Sequence, residues 1–189
     1  MNKTAQKIFV AARQCFFQHG YSKTSLTMIA EQAGVSRVTL YKYYKTKEEI
    51  FRAFGAIFLR ERLEEFQELL ERESDYWRRL ERVMHSWVVS PFEAMASDLI
   101  ISDLMYAHKQ ISGDFRHSDQ TLLTRFLESI TQEADDTGQI DLIGTGLCSR
   151  EVAGVISIMI RGLIDNGLSE LRQGVAQIIK FLKVTLQAG

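Results

Sequence analysis

Between residues 37 and 43 the chain sets out Arg37, Val38, Thr39, Tyr41, Lys42 and Tyr43. Their types cover the chemistry of a DNA duplex. A guanidinium or ammonium can meet a guanine edge or a phosphate, a valine or threonine methyl can touch the thymine methyl, and a phenol can reach a phosphate oxygen. Read as a helix from Arg37 to Tyr44, at about 100° per residue, Leu40 and Tyr44 share one face, and Val38 and Lys42 lie opposite it. Leu40 and Tyr44 then pack inward against Ile29 and Ala30, and the other side chains are free to enter a groove. A solvated basic face is the plainer reading, but the tyrosines crowded around Lys42 argue against it.

Such side chains need a frame, and residues 25–44, SLTMIAEQAGVSRVTLYKYY, carry the pattern of one. Ala30 lets a second helix approach the first closely. Gly34 supplies the φ > 0 conformation that lets the chain leave a helix in one residue. Ser25 opens the first helix, and Ser36 supplies an N-cap oxygen for the second. This is the form of a helix-turn-helix, whose second helix enters the major groove. Thr46-Lys47-Glu48-Glu49 follows as a capping box that starts a long helix, with Lys47 on its first turn where a phosphate could sit. Ser25, Arg37, Val38, Thr39, Tyr41, Lys42, Tyr43 and Lys47 are therefore the candidate DNA contacts.

Charge supports this. Residues 1–47 hold eight basic side chains and one acid, Glu31, a net +7, whereas residues 48–189 carry −8. The overall −1 hides a basic head that attracts phosphate and an acidic body that repels it.

Helical periodicity dominates all 189 residues, and the alternation expected of strands is nearly absent, so the class is all-α, with about nine helices. A first helix runs from Thr4 to His19, ended by Gly20. The helix begun at Thr46 reaches about Arg72 and joins head to body. Another covers Asp75 to Val89. Ser90-Pro91-Phe92-Glu93 reads as a second capping box, with the single proline at the first position of a helix reaching Gln110. A loop spans 111–117, a helix runs from Ser118 to Asp136, and Ser149 caps a helix to about Leu168. A last helix follows Gly174. The division is a helix-turn-helix domain over 2–62 and a helical effector-binding and dimerisation domain over 63–189. Cys15 and Cys148 lie in apolar settings and are expected as buried free thiols, in keeping with a reducing compartment. The chain has no signal-peptide pattern, and its longest apolar run, Val152 to Ile160, is too short to span a bilayer. The expected location is cytoplasmic, with no membrane partner.

The segment from Ser149 is apolar on more than one side, and so must be buried on more than one side. With the last helix it is read as a dimer interface built on Val152, Ile156, Ile160, Leu163, Ile178 and Leu182. Trp77, His85, Trp87, Met95, Met105, Tyr106, Phe126 and Met159 could line an apolar effector pocket with a few polar handles. No metal-ligand spacing, nucleophile elbow, phosphate loop or dinucleotide fingerprint is present, so no metal, cofactor or enzymatic activity is expected.

From about Lys3 to Phe54 the chain resembles the tetracycline-repressor (TetR) family of bacterial regulators. The resemblance rests on Ile8, Ala11-Ala12, Phe16, His19-Gly20-Tyr21, Thr24-Ser25, Ile29-Ala30, Ala33-Gly34-Val35-Ser36, Thr39-Leu40-Tyr41 and Lys47-Glu48-Glu49. It implies a three-helix DNA-binding head, a homodimer, a palindromic double-stranded operator, and a small, hydrophobic effector bound in the C-terminal domain. Arg37 and Val38 stand where the family more often has lysine and glycine, and Lys42-Tyr43 departs from a frequent tyrosine-histidine pair; these differences bear on which operator is read. Two functions follow: a repressor released by a small molecule, or a DNA-binding adaptor of the same fold whose body binds a protein.

Overall fold

A computed structural model describes residues 2–93, 95, 97–111, 113–165 and 171–186. The fold is all-α. It divides into two compact units, Met1–Arg60 with Glu93–Arg116, and Glu61–Phe92 with His117–Gly189. The first unit thus recruits a segment from beyond residue 62 that the sequence division assigned to the body.

In the first unit, α1 (Lys3–Lys23) is capped by Asn2, whose Oδ1 accepts the Thr4 N–H at 2.7 Å. Ile8, Ala11, Ala12, Cys15 and Phe16 follow the helical repeat and are buried together. Gly20 breaks the helix with φ 78° and ψ 175°, and one further turn follows before extended Thr24. α2 (Leu26–Gln32) is capped by Ser25, and α3 (Arg37–Tyr43) by Ser36. Between them Gly34 takes φ 64°, its N–H bonds to Glu31 O, and the Val35 N–H bonds to Ala30 O. That pair of bonds is a Schellman closure, which satisfies the carbonyls at the end of α2 and needs the left-handed glycine. α4 (Lys47–Arg72) starts where expected, but its box is offset by one residue: Thr46 Oγ1 accepts the Glu49 N–H, and the Glu49 carboxylate accepts the N–H of Lys45. α7 (Asp98–Ile111) packs along α1, adding Leu104 and Ala107 to this core.

In the second unit, the end of α4 packs with α5 (Tyr76–Met84), α8 (Gly113–Asp136), α9 (Ser149–Asp165) and α10 (Leu171–Thr185) around Phe66, Leu80, Met84, Leu127, Ile130, Ile156 and Ile160. Arg79 is buried here, with its guanidinium on the Glu133 carboxylate at 2.7 Å and on the carbonyls of Glu73 and Leu70. Buried charge of this kind persists only when so fully bonded.

Several sequence expectations are corrected. Ser90-Pro91-Phe92-Glu93 does not open a helix. α5 passes through a π turn, His85–Val89, straight into α6 (Ser90–Glu93), and this run ends before α7 begins at Asp98. The Ser90 N–H bonds five residues back, to His85 O. In that register Pro91 would donate to Ser86 O, but proline has no N–H. Arg62 Nη1 serves Ser86 O instead, at 3.0 Å, so the proline is accommodated inside the run. α8 begins at Gly113, inside the expected loop. Ser149 does not cap α9: its hydroxyl donates to Gln132 Oε1, while Glu151 reaches back to the Cys148 N–H. The part of that helix expected beyond residue 165 lies outside the described residues. α10 begins at Leu171, before Gly174, and a Cβ at Gly174 would lie 2.3 Å from Leu163 Cδ2. That glycine is an approach point between α9 and α10, not a helix boundary. Cys15 is buried and burial raises its thiol pKa, but Cys148 is exposed. Among the described residues no helix is long and apolar enough to cross a membrane.

Candidate nucleic-acid interface

α3 is seven residues long, about 10 Å at 1.5 Å per residue, and is held at both ends. Ser36 Oγ accepts the Thr39 N–H at 3.1 Å, and Lys45 Nζ donates to Tyr41 O at 2.9 Å, a cation on the carbonyl end of the helix. Leu40 is fully buried and Tyr44 is half-buried against the same core, where burial raises its phenol pKa. Arg37, Val38, Tyr41 and Lys42 are exposed, Val38 to 70 %. An apolar side chain of that exposure, between cations, is shaped for contact with something outside the chain.

Four other expected contacts already have partners. Thr39 is half-buried, with its hydroxyl 2.9 Å from Ser36 Oγ. The Tyr43 hydroxyl accepts from Asn2 Nδ2 at 2.9 Å, which ties the α1 cap to the end of α3. Ser25 Oγ accepts the Met28 N–H. Lys47 departs most from expectation. Its ammonium donates to Tyr21 O at 2.7 Å and Thr24 O at 2.9 Å and lies 4.1 Å from the Tyr21 ring centroid. Burial lowers its pKa, and two of its three N–H groups are spent inside the head. Tyr21 in turn donates to Glu48 Oε1 at 3.0 Å, and desolvation and that carboxylate raise the phenol pKa. Sequence reasoning missed Asn2, Lys45 and Asp103, which hold α3 and the turn before α2. Asn2 and Asp103 act across 41 and 81 residues, which no local spacing signals; Lys45 lies four residues after Tyr41, and a cation just past the helix end was the signal that could have found it.

The eight residues expected to share an effector pocket do not share one compact unit. Met95, Met105 and Tyr106 belong to the first unit, and Trp77, His85, Trp87, Phe126 and Met159 to the second. Trp87 and Phe126 both stack on Phe66, with ring centroids at 5.8 and 4.2 Å. Trp77 sits instead against Tyr76 and Lys183. His85 lines a charged cleft of about 250 Å³ with Glu65, Glu68, Leu69, Arg72, Arg82, Ser86 and Ser90. Among the described residues no group of His, Cys, Asp and Glu side chains could hold a metal ion.

The expected dimer residues are also redistributed. Val152, Ile156, Ile160 and Leu182 are buried in the second unit's own core, with Leu163 and Ile178 packed against it. The outward faces of the same helices carry Val155, Ile158, Phe181 and Val184, with Ile158 67 % and Val184 75 % exposed.

Residues 8–54 match the family model described as bacterial regulatory proteins, tetR family. Over 181 residues the chain is 30 % identical to the HTH-type transcriptional regulator SrpR of Pseudomonas putida, covering 94 % of this chain and 81 % of that protein. It is 28 % identical over 182 residues to the HTH-type transcriptional repressor AcnR of Corynebacterium glutamicum, covering 88 % and 87 %. In fold it matches a TetR transcription regulator from Haloarcula marismortui with TM-score 0.80 at 18 % identity, over 99 % of this chain and 100 % of that one. A SmeT–triclosan complex matches with TM-score 0.71 at 21 % identity, over 100 % and 94 %.

Proposed function

This chain belongs to the TetR family of bacterial regulatory proteins, DNA-binding transcriptional regulators rather than enzymes, and from that premise we propose that it is a dimeric repressor of a palindromic operator. The observation that carries the reading is the exposed face of α3. Arg37, Val38, Tyr41 and Lys42 project from a helix pinned at both ends, on a segment of net charge +7. Two copies of α3 would enter successive major grooves about 34 Å apart. The second copy would meet the outward faces of α9 and α10 through Val155, Ile158, Phe181 and Val184, an apolar surface a monomer has no use for.

The effector is a small hydrophobic molecule that enters the second unit around Phe66, Trp87 and Phe126. The ligand in the SmeT–triclosan complex, a protein of similar fold, supports this class of effector. Because linkage is reciprocal, such an effector releases DNA only as far as DNA weakens its binding. The test is selection of duplexes from a random pool, followed by a screen for hydrophobic compounds that release the selected DNA. Enrichment of a palindrome and its release by a compound are expected. Enrichment of nothing overturns DNA reading, and a palindrome that no compound releases overturns the effector.

A further inference from the structure

The short turn Tyr21–Lys23, cut off from the body of α1 by Gly20, behaves as a separate one-turn helix with unsatisfied groups at both ends. Each end is met by a charge from another element. At the N–H end, the Asp103 carboxylate of α7 accepts the Ser22 N–H at 2.8 Å on Oδ2 and the Ser22 hydroxyl on Oδ1. At the carbonyl end, the Lys47 ammonium of α4 takes Tyr21 O and Thr24 O. An anion on the positive end and a cation on the negative end is the favourable sense for both. Buried Thr24 completes the arrangement, its hydroxyl donating to Gly20 O at 2.6 Å and Cys15 O at 3.2 Å. The approach of α7 is as close as the chain allows, since a Cβ on Gly20 would lie 2.5 Å from Asp103 Oδ2.

The place of this turn gives it consequence. Thr24 leads directly into Ser25, the cap of α2, and α2 carries α3 through the Gly34 closure. Of the two clamping helices, α4 runs on past residue 60, whereas α7 lies wholly within the first unit. We propose that the Tyr21–Lys23 turn sets the position of the helix-turn-helix and that Asp103 and Lys47 are its positioning residues.

The test uses the full chain and duplex DNA selected from a random pool, with affinity expressed per folded protein. Asp103→Ala should weaken binding about tenfold, the scale of one lost charge-assisted hydrogen bond. The dependence of affinity on salt should stay parallel to wild type, because no phosphate contact is removed. Ser22→Ala should weaken binding less, and the double variant no more than Asp103→Ala alone, because both act through one contact. Asp103→Asn, which keeps an acceptor for the Ser22 N–H, should recover much of the loss. Hydrogen exchange should quicken across residues 22–28 in Asp103→Ala with the second unit's protection unchanged. Binding of Asp103→Ala within twofold of wild type, losses that add in the double variant, or exchange unchanged at 22–28 each overturn the proposal. If wild type selects no duplex, the proposed function fails by itself, and exchange at 22–28 still decides the clamp.

Discussion

Lys42 and Lys47 carry the same charge on adjacent helices, and the structure gives them opposite duties. Lys42 stands exposed on α3, whereas Lys47 is bound to two carbonyls and a tyrosine ring. Lys42→Ala should cost about 1–3 kcal/mol on the preferred operator and relax preference at one base pair, read from affinities on a panel of single-site operator variants. Lys47→Ala should instead lower head stability by about 1–3 kcal/mol while leaving base preference intact, read from denaturant midpoints beside the same panel. The residue types at both positions were legible in the sequence. The partners of Lys47 were not, because its acceptors exist only once Gly20 has turned the chain. A pH effect belongs to this scale too. Bonds to backbone N–H groups hold the Glu48 and Glu151 carboxyls below their ordinary pKa, with the Tyr21 hydroxyl assisting at Glu48. The unfolded chain therefore takes up these protons first as pH falls, so their stabilisation is full at neutral pH and disappears as pH drops through the lowered folded values. Glu48→Gln with Glu151→Gln should flatten the acid limb of stability between about pH 5 and about pH 3, around the carboxylate range, measured by urea midpoints at each pH.

Elements were legible where a local signal suffices. The Gly34 closure and the Ser25 and Ser36 caps lie where the pattern of residues places them, because each is decided within a few residues. The two apparent capping boxes differ in outcome: Thr46 starts a helix, whereas Ser90 continues one, because Arg62 from α4 satisfies the carbonyl that Pro91 cannot. Nothing near Ser90 announces that distant guanidinium. The glycines separate two kinds of cost. A side chain at Gly34 meets nothing within 4 Å, so Gly34→Ala carries only the left-handed backbone penalty, about 1–2 kcal/mol. Gly20→Ala adds a collision with Asp103 to a similar penalty and should destabilise the protein more. Chemical unfolding of both variants checks the order.

For the whole molecule, periodicity marked α9 and α10 as covered on several sides, and Val152, Ile156, Ile160 and Leu182, offered there to a partner, pack inside the chain's own core. A helix apolar on several sides declares that it is covered; it does not say which side its own chain covers. Ile156 and Ile158 separate the two. Ile156→Asp places a charge in a fully buried site and should cost several kcal/mol, on the order of 4, seen as a collapse of the thermal transition. Ile158→Glu should leave the fold intact and shift the protein to monomers in sedimentation, with operator affinity falling alongside.

The π turn at His85–Val89 holds one residue more than a regular helix of the same span would need. Removing one residue there would restore ordinary bonding and leave the Ser90–Glu93 face nearly where it is, because the wide turn already absorbs the extra residue. A single-codon deletion, ordinarily ruinous inside a helix, is at this point nearly a repair. The chain can lose a letter here and keep both its architecture and the aim of the turn that follows.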